Sequence, residues 1–94
     1  MDNAEARSIL AEKLSIYRQV PYADLATMVK SRAVHLESRG KSGTLYQVDI
    51  SVYWDDEPAG DVRVLGAIDD GGWRPFFPLT DSFIKAPDNT FVDE

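Results

Sequence analysis

Two groups of carboxylates are the residues of this chain whose types and spacing most suggest chemistry. Asp55, Asp56 and Glu57 form one group, and Asp69 and Asp70 form the other, beside the aromatic stretch GGWRPFFP. Together they would offer oxygen ligands to a divalent cation, or a pair of acids beside an apolar pocket. Neither group alone has the alternating ligands and terminal glutamate of a calcium loop.

A strand predicted between the two acidic groups keeps them apart. About eight residues at ~3.4 Å each place the groups roughly 27 Å from one another, at opposite ends of that strand. We expect basic neighbours to lie near each group instead, Lys30 and Arg32 at one end and Arg39 and Lys41 at the other. The sequence therefore predicts no metal site and no cofactor.

The only histidine and the only Gly-Lys-Ser are the remaining candidates for catalysis or phosphate binding. His35 has Glu37 as the one same-face neighbour that the sequence reveals, whereas a general base needs a nucleophile or carboxylate partner. The stretch RGKSG at 39–43 lacks the upstream glycine and the strand–loop–helix context of a phosphate-binding loop, so it is interpreted as a turn. The absence of cysteine excludes disulfides and thiolate chemistry. We expect no catalytic residues.

Apolar residues at three- and four-residue spacing predict two helices in the first third of the chain. The first covers about 3–19, with Asp2 or Asn3 as its N-cap, and Pro21 ends it. The second covers about 22–30.

From residue 32 the hydrophobic period changes to two, which predicts strands over about 32–38, 44–54, 61–69 and 73–79 and a tail at 80–94. Gly66 is expected to mark a kink or bulge. Pro75 and Pro78 would make the fourth strand an edge, because proline cannot donate a ladder hydrogen bond. The whole chain, 1–94, is predicted to be a single α+β domain, with two N-terminal helices packed on one face of a four-stranded antiparallel meander of order 1-2-3-4.

The dipeptide Asp70-Gly71 predicts a two-residue hairpin turn that would fix the register of the last two strands. In that register the apolar pairs are Ile68 with Trp73, Val64 with Phe77, and Val62 with Leu79. After the hairpin, Thr80 is expected to cap a single helical turn that buries Phe83 and Ile84. The segment Pro87-Asp88-Asn89 is a turn signal, with Phe91 folding back as an anchor.

The outer face of the predicted sheet is the strongest candidate for an interface. Two helices cannot cover both sides of the sheet, and the predicted register places Leu65 opposite Phe76 and Tyr53 beside Arg63 on the uncovered side. The full candidate set is Leu45, Tyr53, Arg63, Leu65, Arg74 and Phe76. Tyrosine, phenylalanine and arginine are residues that interfaces use. The alternatives are that these residues are scattered, or that the C-terminal tail covers them.

Charge is distributed unevenly along the chain. Residues 1–47 carry seven Lys/Arg against five Asp/Glu, and residues 48–94 carry three against eleven, for a net charge of −6. Nucleic-acid binding requires a basic surface, so it is not expected. The acidic half could instead dock a basic protein. The N-terminus does not resemble a secretory signal and no apolar run has membrane length, which predicts a soluble, cytoplasmic protein.

The stretch YWDDEPAGDVRVLGAIDDGGWRPFFPLTDSFIKAPDNTFV resembles the C-terminal half of a family of short bacterial proteins without assigned activity. The shared features are a Pro-Tyr step like Pro21-Tyr22, a WDD turn, a DDGGWR hairpin, a PLTDxF segment and an APDG-like tail. This chain has Asn89 where those tails tend to carry glycine, and asparagine can also adopt a left-handed conformation. The resemblance implies a bacterial source and supplies no mechanism.

These observations together predict a non-enzymatic protein-interaction or self-associating module, with a two-fold homodimer as the leading form. The alternative is a small-ligand-binding protein or a minor enzyme with a pocket near Trp54, Trp73, Tyr22 and His35.

Overall fold

The computed structural model describes residues 2–71 and 78–94, and within them the chain forms two helices and one sheet. The helices are α1 (Asn3–Arg18) and α2 (Tyr22–Met28), and the strands are β1 (Val34–Arg39), β2 (Leu45–Trp54), β3 (Val62–Asp69) and β4 (Leu79–Lys85). The sheet is antiparallel throughout, in the order β1-β2-β3-β4. The predicted α+β architecture, with both helices packed on the meander, is confirmed.

The first turn of α1 is capped by a neighbouring residue, and that of α2 by a distant one. The Asp2 side chain accepts a hydrogen bond from the Glu5 amide at 3.0 Å and so caps α1, as predicted. Pro21 precedes α2 and provides no side-chain cap. The missing acceptor comes from far along the chain, because Asn89 Oδ1 accepts from the Tyr22 amide at 2.8 Å.

The core lies between the helices and one face of the sheet, here called the inner face. Its buried residues come from both layers and are Ala6, Ile9, Leu10, Leu14, Leu25, Tyr46, Val48, Ile50, Val62, Val64, Ile68 and Phe83. Gly66 belongs to the inner face and pairs regularly with Ile50 and Asp81, so the predicted bulge is wrong. A Cβ at this position would lie 2.7 Å from Leu10 Cδ1. Glycine is therefore needed here for the close approach of α1, not for a bend in the strand.

The fourth strand is the main correction to the sequence analysis. Most of the predicted strand at 73–79 lies in residues 72–77, outside the described part of the chain. The same holds for three residues of that predicted strand, Trp73, Pro75 and Phe77. The described strand covers Leu79–Lys85, so residues 80–85 are strand where a tail with a helical turn was expected. Ile68 pairs with Leu79, and Val62 pairs with Lys85 rather than with Leu79.

The residues that face inward explain why periodicity missed β4. Leu79 and Phe83 are apolar, but Asp81 and Lys85 share their face, so the alternation is broken by two charges. Val64 pairs with Phe83, which buries that ring as predicted although in a strand rather than a helical turn.

The C-terminal segment returns to the end of β4. Ala86 and Thr90 close a turn in which the Ala86 amide donates to the Thr90 carbonyl at 2.8 Å. Asn89 has a positive φ of 72°, the left-handed conformation expected of it. Phe91 then bridges to Lys85 and packs edge-on against Phe83, with ring centroids 5.9 Å apart, so the predicted anchor is confirmed.

Candidate functional site: the uncovered face of the sheet

The sheet has a second face, the outer face, that neither helix covers. Side chains alternate along each strand, so every residue between two inner-face residues points to this side. The outer face comprises His35, Glu37, Arg39, Leu45, Gln47, Asp49, Ser51, Tyr53, Arg63, Leu65, Ala67, Asp69, Thr80, Ser82 and Ile84. All of them are exposed or half-buried.

Apolar side chains gather at one end of the outer face, around an arginine. Tyr53, Arg63 and Ile84 are direct neighbours across β2, β3 and β4, and Leu65 lies in the next row. We call these four residues the Tyr53 patch. The tyrosine is 39% exposed.

Arg63 is held in place at the centre of the Tyr53 patch. Its Nε donates to Asp55 Oδ1 at 2.8 Å, and its Nη1 donates to Ser82 Oγ at 2.9 Å. The acidic loop that follows β2 therefore supplies a fixed partner for a basic residue on the sheet. Because the guanidinium is already oriented, it would lose little conformational freedom on contact with another molecule.

The predicted interface residues are only partly brought together. Tyr53 does lie beside Arg63, as predicted. Leu65 pairs with Ser51 and Ser82, so its predicted pairing with Phe76 is wrong. Leu45 lies apart at the other end of β2, opposite Arg39.

Two interface predictions concern residues that the structure does not describe, and one patch residue was missed. Arg74 and Phe76 both lie within 72–77. Ile84 was expected to be buried in a helical turn, and the β4 register instead places it beside Arg63. The strand LTDSFIK does alternate, which is the signal that would have placed Ile84 on the outer face. The two charged residues on its inner side, Asp81 and Lys85, hid that alternation.

A polar network built around the only histidine occupies the outer face of β1 and β2. His35 Nδ1 lies 2.7 Å from Asp49 Oδ1, and Nε2 lies 2.7 Å from Gln47 Oε1. The hydrogen bond with Asp49, and then the one with Gln47, raises the pKa of His35 above its ordinary value. Sequence reasoning found only Glu37 beside this histidine, because cross-strand neighbours depend on register.

The His35 network does not have the geometry of a catalytic site. A histidine that activates a nucleophile has one ring nitrogen on its orienting carboxylate and the other on the nucleophile. In this network both ring nitrogens of His35 are hydrogen-bonded to acceptor oxygens, those of Asp49 and Gln47. The other members of the predicted ligand pocket lie elsewhere: Trp54 is on the inner face at the far end of β2, and Tyr22 Oη donates to the Gly60 carbonyl at 2.7 Å. Trp73 is outside the described residues.

A second polar cluster joins α1 to the β1–β2 turn. Glu5 Oε1 accepts from Ser42 Oγ at 2.6 Å and from Tyr46 Oη at 2.8 Å. Both hydrogen bonds lower the pKa of Glu5, and the bond from Ser42 has the larger effect. The pKa of Tyr46 is raised to about 12, mainly because the phenol is buried and secondly because it donates to Glu5. Next to this cluster, an open groove of about 550 Å³ runs between α1 and the end of β1.

Lys85 is the buried cation of the described core. It is 5% exposed, and its Nζ donates to the carbonyl oxygens of Arg18 and Val20 at 2.9 and 2.8 Å. These carbonyls belong to the last residue of α1 and to the segment just after it, where carbonyl oxygens lack partners within the helix. Arg18 lies over the Phe91 ring, 4.2 Å from its centroid, and pairs with Glu94. These cations stabilise the junction of α1, β4 and the C-terminal segment.

Asp55 and Asp69, two of the five carboxylates considered as chemical groups, have hydrogen-bond partners within the fold. Asp55 binds Arg63, and Asp69 Oδ1 accepts from the Gly71 amide at 2.7 Å. In residues 2–71 and 78–94, no cluster of three or more His, Asp or Glu is arranged to hold a metal ion.

Over the same residues, no helix is both long and apolar enough to cross a membrane.

Comparison with protein-family models, curated proteins and solved structures gives no match to this chain.

Proposed function

We propose that this protein is a non-enzymatic interaction module that associates with a second copy of itself through the outer face of its sheet. The observation that carries the proposal is the Tyr53 patch, an apolar cluster around a fixed arginine on the side that neither helix covers.

The composition of the Tyr53 patch supports a contact role. Tyrosine and arginine are enriched in the energetically dominant part of interfaces, since each combines a large contact area with a polar group. Leu65 and Ile84 add aliphatic area next to them. Burial of this side of the sheet would give the chain the three-layer arrangement in which both faces of a sheet are covered.

Charge on the outer face supports a second copy as the occupant. Arg39 and Arg63 share this face with Glu37, Asp49 and Asp69, so both signs are present. A second copy supplies both signs in return, whereas a uniformly basic partner matches only the acidic residues. The basic partner considered from the sequence is therefore the less favoured occupant.

The experiment that tests this proposal compares molar masses by light scattering at micromolar concentration. We expect the unmodified protein to exceed the mass of one chain, and Tyr53→Ser and Ile84→Ser to shift the equilibrium toward the smaller species. The control is Ile16→Ser on α1, which changes a side chain that is 58% exposed but distant in sequence from the patch. Equal masses for Tyr53→Ser, Ile16→Ser and the unmodified protein would overturn the proposal.

A further inference from the structure

Strand β1 forms a free edge of the sheet. It pairs with β2 on one side, and no described strand pairs with its other side. The opposite edge is different, because the C-terminal segment returns to β4: the Val92 amide donates to the Ile84 carbonyl at 2.9 Å. An uncovered edge presents unpaired backbone groups that can pair with another strand.

The hairpin between β1 and β2 shows which backbone groups of β1 point outward. The Gly40 amide donates to the Thr44 carbonyl at 2.8 Å, which makes 40 and 44 a hydrogen-bonded pair. In an antiparallel ladder such pairs alternate with non-hydrogen-bonded ones. The backbone groups of residues 34, 36 and 38 therefore bond to β2. The backbone amides and carbonyls of His35, Glu37 and Arg39 point away from β2, toward the open edge.

We propose that a second copy of this chain adds its β1 to this edge, antiparallel and centred on Leu36, so that the two sheets become continuous. In this register Leu36 lies opposite Leu36 of the second copy, Val34 opposite Ser38, and His35 opposite Glu37. The outward backbone groups of His35 and Glu37 then bond to each other across the two-fold axis.

Side-chain charge selects this register among those that keep the inner faces on the same side. A register centred on His35 opposes two histidines, and one centred on Glu37 opposes two glutamates and also places His35 against Arg39. A register centred on Ser38 pairs Glu37 with Arg39, but it runs the partner strand into the 40–43 turn. Among these registers, only the one centred on Leu36 pairs residues 34–38 of both copies without facing like charges.

The groove between α1 and β1 provides space for side chains of the added strand. It is lined on the helix side by Ser8 and Ile9 and on the strand side by Ser38 and Gly40, on the inner face. In the Leu36 register, Val34 of the second copy lies opposite Ser38 and therefore at this groove. Backbone bonds along the edge would supply affinity, and the groove would accept the alternate side chains.

A disulfide test reads out the register directly, because the chain contains no cysteine. Opposed residues of a non-hydrogen-bonded pair have Cα atoms about 4.5 Å apart, within the range that a disulfide spans. We expect Leu36→Cys to give a cross-linked dimer on mild oxidation with diamide. The matched control is Val34→Cys, half-buried on the same face, because the two copies of residue 34 would be about four residues, ~13 Å, apart. Absence of cross-linking at Leu36→Cys, or equal cross-linking at both positions, would overturn the proposal.

A charge variant tests the same edge without a covalent bond. Glu37→Lys places a cation opposite His35 and is expected to weaken association by at least several-fold in the dissociation constant. Glu57→Lys, the same charge change on an exposed loop residue, should leave association unchanged. If the two variants behave alike, the edge is not the site of pairing.

The β1 edge and the Tyr53 patch lie at different places on the sheet, so their failures are distinguishable. Tyr53→Ser should leave the Leu36→Cys cross-link intact, because the Tyr53 patch lies at the other end of β2. If only the face proposal fails, Leu36→Cys still cross-links while Tyr53→Ser leaves the molar mass unchanged. If only the edge proposal fails, Tyr53→Ser lowers the molar mass and Leu36→Cys gives no cross-link.

Discussion

Single polar side chains at the residue scale tie together segments that are distant in sequence. Glu5 joins α1 to the β1–β2 turn, Asn89 caps α2, and Lys85 binds two carbonyls at the C-terminal end of α1. Each of these contacts connects the helical layer to the sheet or to the C-terminal segment. Sequence patterns did not reveal them, because such contacts depend on which chain ends meet in the folded protein.

Replacement of Glu5 tests the pH dependence of the first contact. The pKa of Glu5 is lowered in the folded state, so its contribution to stability is present above the unfolded value near 4.5 and is lost as the pH falls through the folded value. We expect Glu5→Gln to lower the urea midpoint at pH 7, and this difference in midpoint to shrink as the pH falls below 4.5. The control, Glu12→Gln on the same helix, should show no such narrowing. Identical midpoints for Glu5→Gln and the unmodified protein at pH 7 would contradict this role.

Replacement of Lys85 tests whether the buried cation stabilises the end of α1. Lys85→Met keeps the apolar stem but leaves the Arg18 and Val20 carbonyls without their donor. Unsatisfied buried polar groups cost about 1–3 kcal/mol, so we expect a loss of that size in the free energy of unfolding, measured with urea. Lys30→Met, at an exposed position, serves as the control. A loss no larger than that of the control would show that the carbonyls find other partners.

At the scale of elements, the contact between α1 and β3 requires a glycine. An alanine at position 66 would bring its Cβ to 2.7 Å from Leu10 Cδ1 and 3.2 Å from Leu14 Cδ2. Both leucines are buried and have little room to move. We expect Gly66→Ala to destabilise the protein by about 1–3 kcal/mol in urea unfolding, the usual cost of overpacking.

A double-mutant cycle identifies the cause of that loss. Leu10→Ala removes the closest atom, so the double variant should lose less stability than the sum of the two single variants. Additive losses would mean that Gly66→Ala acts through the strand backbone rather than through this contact.

Most of the elements could be predicted from the sequence, because their signals are local. The periodicity of α1, the stop at Pro21 and the unbroken apolar alternation from Tyr46 to Trp54 each depend on neighbouring residues only. The meander order followed from short connections between strands. These features correctly placed both helices, three strands and the uncovered face.

The fourth strand could not be placed, because two charged residues, Asp81 and Lys85, interrupt the apolar alternation of its inward side. Lys85 is buried because its Nζ donates to the distant Arg18 and Val20 carbonyls, whereas Asp81 stays exposed opposite Gly66. A two-residue turn at Asp70-Gly71 predicted that Ile68 pairs with Trp73, whereas Ile68 pairs with Leu79. The observed register changed the candidate site, since it pairs Ile84 with Arg63. The cross-strand partners of His35 were missed for a similar reason.

At the scale of the whole molecule, the helices and strands described in residues 2–71 and 78–94 leave two surfaces of the sheet uncovered. Both helices pack on the inner face, and the C-terminal segment returns to β4, so none of these elements covers the outer face or the β1 edge. We propose that both surfaces contact a second copy under a two-fold axis, the face through its mixed charges and the edge through the Leu36 register.

The most direct test of self-association is the molar mass of the unmodified protein across a dilution series, measured by sedimentation equilibrium from high to low micromolar concentration. We predict a mass of more than one chain at the upper end, falling toward one chain on dilution, because both contacts are reversible and non-covalent. The mass of a single chain at every concentration would contradict the proposed function and the edge pairing together.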